Sequence, residues 1–264
     1  MTHDPSSLSA RAGRHPTALV DPGASIHPEA RIGPFAIIHA GVEIAADVEI
    51  GAYCEIGIPT PLARQQRLVI GPGSIVRSHS RIYVGSDFSK GLSTGHGVTM
   101  RENIVAGWRF QLGSYGDIEG DCAIGDDVRT HNNVLVSKNS VIGNFVWLAP
   151  FVHLTDDPHP PSEVRRGVTV RDFAMIAART TVLPGVTIGA DALVGAGSVV
   201  SRDVPDGMIA VGAPAELRGP AARILRKDGS NLPAYPWRRH FHRGYPAEVV
   251  QAWLDEISEE AGRA

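Results

Sequence analysis

Cysteine is scarce. The 264-residue chain has two, Cys54 and Cys122, too few for a disulfide framework and in neither a CxxC nor a zinc-ligand spacing; they read as core filler. Aromatic residues make up only 6%, so the core has to be built from small and aliphatic side chains. A surplus of positive charge is also missing. Against 28 Asp and Glu stand 25 Lys and Arg, a net charge of -3, which disfavours general nucleic-acid binding. No apolar run reaches the roughly eighteen residues of a membrane span, and residues 1–17 lack the apolar centre of a secretory signal. The expectation is a cytoplasmic protein. What abounds is glycine, with 29 residues, and proline, with 19, signs of many turns and of a repeat.

The repeat has a period of six. An aliphatic residue returns at Val20, Ile26, Ile32, Ile38, Ile44, Ile50 and Ile56, then at Ile70, Val76 and Ile82. It resumes from Leu112 through Ile118, Ile124, Thr130, Val136, Ile142, Leu148 and Leu154, and again from Val170 through Ile176, Val182, Ile188, Val194 and Val200. Thr130 alone departs from Ile, Leu or Val. Four residues after many of these comes a second small or branched residue, such as Ala24, Ala36, Val48, Val134, Val152 and Ala192. Neither a helix, with spacing near 3.6, nor a continuous strand, alternating at 2, sustains such a rhythm. Short strands separated by tight turns do. Three hexads closing one triangular coil, at about 4.8 Å per coil, give a parallel β-helix of roughly eight coils over residues 18–204.

Stacking then relates residues 18 apart. Phe35 should lie over Tyr53 and Arg129 over Trp147, modest surface ladders, whereas Cys54 and Cys122 fall several coils apart, beyond disulfide reach. The period breaks near 57–69, 85–111 and 155–168, each expected as a loop insertion. Residues 1–17 form an N-terminal tail. After Val204 a C-terminal extension, 205–264, contains an amphipathic helix over Pro246–Glu260, in which Val249, Val250, Trp253, Leu254 and Ile257 share helical spacing and which is expected to cap the last coils. The run Tyr235–His242 reads mainly as packing of this tail, with stacking on a nucleotide base as the other option.

Hexads such as those beginning at Ile188 and Val194, closing in Val-Val-Ser-Arg-Asp-Val-Pro and Val-Gly-Ala-Pro-Ala, resemble the hexapeptide-repeat acyltransferases. The resemblance implies an all-β, left-handed parallel β-helix with a short C-terminal α-helical region, a homotrimer with active sites between subunits, and acetyl-CoA as cosubstrate. The segments beginning at Thr94, Arg129 and Leu154 are similar to N-acetyltransferases of nucleotide-linked, chiefly dTDP-linked, 3-amino-3,6-dideoxyhexoses. That subgroup more usually has Asn-Asp-Pro where this chain has Asp156-Asp157-Pro158. The nearest enzymatic alternative is O-acetylation of a sugar or of serine; from other classes stand a zinc carbonic anhydrase and a non-catalytic β-helical scaffold.

Candidate residues emerge from the chemistry and the likeness together. His131 comes directly after the one polar inward position, and an imidazole titrating near 6.5 can accept the amine proton or bind the acceptor. Asp157, in a loop stiffened by Pro158, Pro160 and Pro161, is the second catalytic candidate, able to grip an ammonium; Asp156 is a substrate contact, or else stacks on Lys138 as an ion pair. His96, Arg101, Glu102 and Asn132 are further acceptor-binding candidates, with Arg101 and Glu102 alternatively a solvated pair that pins its loop. By analogy Ala178 and Ala196 present backbone groups to pantetheine, and Arg202 meets the adenosine phosphates. His153 and His159 lack a compact zinc-binding spacing, so no metal is expected.

Overall fold

The computed structural model describes residues 13–263, with side chains through Ser258; residues 1–12 of the expected N-terminal tail lie outside the described residues. The chain is an all-β, left-handed parallel β-helix of about eleven turns with one C-terminal helix. Its strands, mostly two residues long, form three faces. The first face contains Arg129–Thr130 and Trp147–Leu148, the second Leu135–Val136 and His153–Leu154, and the third Ala123–Ile124 and Val141–Ile142. His131 sits at the first corner, between first and second faces; Lys138 at the second corner; Phe145 at the third, which returns to the first face.

Register reveals how the coils close. Ile118 pairs with Val136 and Ile124 with Ile142, each three hexads on. Ile56 pairs with Ile82 and Leu154 with Val182, well beyond three hexads, so each of the two long loops lengthens its coil. Both loops leave from the second corner. The third expected insertion, 85–111, does not exist. Asp87–Phe88, Ser93–Thr94, Thr99–Met100 and Val105–Ala106 are strands in unbroken register, Phe88 pairing with Ala106 and Thr94 with Leu112. Their inward residues fit because volumes compensate: the large Phe88 lies directly under the small Ala106, both essentially fully buried. Counting these coils raises the total from eight to about eleven.

The inward positions make one continuous core from Ala18 to Ala210. Each aliphatic side chain there contributes about 1.5–3 kcal/mol of burial. Thr130 joins it at 8% exposure because its hydroxyl accepts the backbone N–H of Gly113 at 3.1 Å. Turning each corner needs a residue with positive φ. Besides glycines, Phe35, Tyr53, His79, Tyr115, Asn133, Phe151 and Arg179 take this role at the first corner, with φ between 55° and 64°. Phe35 and Tyr53 stack at 5.0 Å, and Arg129 lies 5.2 Å from the Trp147 ring. Cys54 and Cys122 are free and buried; burial pushes the Cys122 thiol up to about 12.

Two boundaries differ from expectation. Gly13–Arg14 already pairs with Arg31–Ile32, so the first face begins inside the supposed tail. Met208–Gly212 continues the same face in parallel before folding back as a hairpin with Ala215–Pro220, so the solenoid outlasts residue 204. The helix, Ala247–Arg263, does not cap the last coils. Trp237, Tyr245 and Trp253 pack against Phe145, Trp147 and Phe173 on the solenoid's flank. Arg238, 6% exposed, pairs with Asp191 and stands 4.4 Å over Phe173. Replacing Trp253, 3% exposed, by Ala should cost about 3–5 kcal/mol of docking. Limited proteolysis should then cut between residues 221 and 246 while the solenoid stays protected.

Candidate functional site

The outward groups gather at two edges of the second face. At the first corner the coil pitch stacks His96, Ser114, Asn132, Pro150, Ala178 and Ala196 in one column, with Gly113, His131, Ala149 and Ala177 beside it. Gly113 allows the close stacking: a Cβ there would come within 2.2 Å of the His131 carbonyl carbon. His131 is held by its backbone N–H on the Leu148 carbonyl at 2.9 Å, and its side chain is exposed. The His96 ring is engaged by the Ser78 hydroxyl at 2.8 Å. Further along, the backbone N–H groups of Ala178 and Ala196 meet no acceptor among the described residues, and small side chains leave them accessible. Four of the expected substrate and cofactor contacts (His96, Asn132, Ala178 and Ala196) thus share an edge with His131.

The C-terminal extension forms a wall beside this edge. The Trp147 ring lies 6.4 Å from that of His131, and its indole N–H donates to the Tyr245 hydroxyl at 2.9 Å. Arg129 is held over the Tyr245 ring at 4.0 Å, donating to the Gly244 carbonyl at 2.7 Å. Burial pushes the Tyr245 phenol up to about 12, with Arg129 opposing.

The second corner holds Arg101, Glu102, Asp156, Asp157 and Arg202, so the structure does not bring these to His131 within one chain. Arg202, exposed, is likewise separated from Ala178 and Ala196. Glu102, expected to touch the acceptor, is fully buried and bonded to Lys138 at 3.1 Å and to Arg101 at 3.3 Å. Burial pulls its carboxyl up, but its own backbone N–H, Lys138 and Arg101 together hold it below the usual carboxylate value. Glu102 therefore fixes Lys138 rather than meeting a ligand. Lys138 also reaches Asp121 at 3.3 Å, in place of the Asp156 partner that stacking suggested. Asn103 fastens the first long loop, accepting the Arg64 backbone N–H at 2.9 Å and donating to the Leu62 carbonyl at 3.1 Å.

Asp157 fastens the second. It accepts the Ser162 hydroxyl at 2.7 Å, the backbone N–H groups of Ser162 and His159 at 3.1 and 3.2 Å, and Arg165 at 2.7 Å. Ser162 first, then Arg165 and the backbone donors, hold its carboxyl well below the ordinary range. So weak a base is a poor proton acceptor at neutral pH, and both of its oxygens are engaged by donors of its own loop. Its neighbour behaves oppositely: burial, with Glu119 nearby, raises Asp156 despite Arg165. Between the loops lies a cavity of about 360 Å³ lined by Arg101, Asp117, Glu119, Lys138, Asp156, Asp157 and Arg165. Asp117 and Glu119 escaped the sequence reading, since single acids, one on the outer side of the strand Asp117–Ile118 and one at the corner after it, carry no motif. Among the described residues no group of three or more His, Cys, Asp and Glu side chains is arranged to hold a metal ion. No described helix is long and apolar enough to cross a membrane.

Asp157 also sets a pH dependence. Its folded carboxyl titrates below the unfolded value of 3.8, so its contribution is present above that value and is lost as pH falls through the folded one. Urea unfolding monitored from pH 7 downward should show a steep acid limb that Asp157→Asn flattens.

The family model described as bacterial transferase hexapeptide (six repeats) matches residues 18–57 and 167–202. A galactoside O-acetyltransferase of Lactococcus lactis is 34% identical over 33% of this chain and 46% of its own. An acyl-[acyl-carrier-protein]–UDP-N-acetylglucosamine O-acyltransferase of Burkholderia orbicola is 28% identical over 74% of this chain and 62% of its own. The solved structure of Neisseria gonorrhoeae serine acetyltransferase shares 27% identity over 40% of each chain, with a TM-score of 0.37. The chain spans less than two thirds of the length of each of these relatives. It carries the hexapeptide repeat of bacterial transferases in two blocks, and its relatives include acetyl- and acyltransferases.

Proposed function

We propose that this protein is an acetyl-CoA-dependent acyltransferase, working in the cytoplasm as a homotrimer, that acetylates the amine of a nucleotide-linked deoxyamino sugar. The observation that carries acyl transfer is the first corner, where an exposed imidazole shares an edge with unpaired backbone N–H donors. The relatives' names supply the reaction class, and one of them contains a nucleotide-linked sugar.

In this reading the pantetheine arm lies along Ala178 and Ala196, whose N–H groups hydrogen-bond its amides, and a corner N–H stabilises the oxyanion. The acceptor nitrogen attacks the thioester carbonyl carbon while His131 takes its proton. The tetrahedral intermediate then expels the CoA thiolate, which accepts that proton. Arg202 contacts the adenosine phosphates. Asp156 and Arg101 hold the acceptor at the second corner. These residues lie on the far edge of the second face from His131, so the second corner of a neighbouring copy completes the site.

A second reading is favoured by the relatives themselves, which are named for O-acetylation or O-acylation of galactosides and UDP-N-acetylglucosamine: a sugar hydroxyl could replace the amine, with the same proton path. Thiol release from acetyl-CoA separates the two, because a dTDP-linked 3-amino-3,6-dideoxyhexose should turn over while galactose and serine do not; the reverse pattern selects O-acetylation. His131→Ala should lower kcat by about 10²–10⁴-fold with an unchanged circular dichroism spectrum, and unaltered turnover would remove His131 from the mechanism.

A further inference from the structure

Phe35, Tyr53, His79, Gly97 and Tyr115 take the positive-φ place at the first corner in five successive coils. Backbone bonds hold them in one column: His79 N–H on the Ala52 carbonyl, Gly97 N–H on the Ser78 carbonyl and Tyr115 N–H on the His96 carbonyl. Phe35 stacks on Tyr53 at 5.0 Å and Tyr53 on His79 at 5.2 Å, with planes 15° and 23° apart. The ladder then misses one rung. Gly97 has no side chain, the His79 ring is stacked on one face only among the described residues, and the next ring, Tyr115, is 67% exposed.

Two coils separate His79 from Tyr115, about 9.6 Å along the solenoid, close to twice the spacing of the stacked neighbours. One flat ring fits between them. The turn itself does not call for glycine, since Phe35, Tyr53, His79 and Tyr115 adopt the same φ with full side chains. The space does call for it: a Cβ at Gly97 would come within 3.0 Å of two carbons of the Tyr115 ring. His96 precedes the gap. The Ser78 hydroxyl engages its Nδ1 at 2.8 Å, and its Nε2 has no partner among the described residues, a group that donates or accepts according to tautomer.

We propose that the gap between His79 and Tyr115 binds a nucleobase, stacked between the two rings over Gly97 with its polar edge toward His96. Every base has a π-face, and stacking on aromatic side chains is a principal source of affinity for unpaired bases; a puckered sugar ring or an aliphatic chain has no such face to complete the ladder. Resting on the nucleotide-acceptor reading above, the base is the acceptor's, for which that reading names no subsite. Position on the edge favours the acceptor over the adenine of CoA. Gly97 lies two coils from His131 on the N-terminal side and Ala178 two coils from it on the C-terminal side, so acceptor and donor approach the imidazole from opposite ends of one column. The ribose and diphosphate of a nucleotide-linked sugar bridge the two coils.

The test is calorimetric titration of the full chain with thymidine 5′-monophosphate, deoxyribose 5-phosphate and adenosine 3′,5′-bisphosphate. Thymidine 5′-monophosphate should bind at least about tenfold more tightly than deoxyribose 5-phosphate, which lacks only the base. His79→Ala and Tyr115→Ala, both at exposed positions, should each weaken it about 5- to 100-fold, whereas Phe35→Ala, which removes a ring that does not border the gap, should change it less than about twofold. Gly97→Phe supplies the missing rung and should abolish the advantage conferred by the base; should it fail to fold, the two alanine variants carry the test. Equal affinity for thymidine 5′-monophosphate and deoxyribose 5-phosphate, binding of neither, or thymidine affinity that survives both alanine substitutions overturns the proposal. Adenosine 3′,5′-bisphosphate should bind independently of Tyr115; if Tyr115→Ala weakens it and spares thymidine 5′-monophosphate, the gap belongs to the donor and the acceptor assignment falls. Gap-dependent binding of thymidine 5′-monophosphate with no thiol release from acetyl-CoA on any acceptor upholds the base site and sinks the transfer reading. Thiol release on a dTDP-linked amino sugar with an unchanged KM in Gly97→Phe does the opposite.

Discussion

Closure of each coil within three hexads is the constraint on which the rest of the structure depends. Three short strands and three corners leave no slack, so the backbone must reverse by adopting positive φ at the corners. Phe35, Tyr53, His79, Tyr115 and Phe151 do so with bulky side chains, at a cost of roughly 1–2 kcal/mol each relative to an ordinary conformation. Parallel pairing on all three faces and the stacked aliphatic core offset it. Inward positions are then committed to packing and outward strand positions to flat faces. Corners alone remain free to vary in chemistry or in length, and the groups able to do chemistry collect there.

Much of this was legible. A period of six marked the inward residues, and stacking one coil on the next put Phe35 over Tyr53 and Arg129 over Trp147 from spacing alone. The period failed over 85–111 because Phe88, Thr94, Met100 and Ala106 do not belong to the aliphatic set, although each is buried in the same slot. The core requires summed volume through neighbouring coils, and a residue-type template cannot see the compensation between Phe88 and Ala106. The two genuine insertions were recognisable because each shifts the phase of the hexads after it.

The site was less legible for a related reason. Asp156 and Asp157 are adjacent and chemically identical, yet one is bound by four donor groups from its own loop and the other faces a cavity with raised basicity. That division is settled by where Ser162 and Arg165 come to rest after the loop closes, and no local spacing encodes it. Glu102 likewise resembles an exposed acid in a loop until the unbroken coil turns it inward against Lys138. The aromatic residues posed the converse problem: Tyr235–His242 could have been a stacking surface, but with Phe145, Trp147 and Phe173 on the flank, burial of rings against rings decides the outcome.

The second face separates the two edges that carry the candidate residues, and this separation constrains any mechanism that uses both. Within one chain the exposed His131 and the charged cavity lie at opposite ends of the same short strands, so a small acceptor cannot touch both. Three resolutions exist in principle: a long acceptor that spans the face, two independent sites, or a neighbouring copy that brings its own second corner across. The homotrimer proposed above would use both edges, one copy presenting its second corner to the first corner of another. The length changes are confined to the second corner, so the column of Ala178 and Ala196 at the first corner stays unobstructed by either long loop.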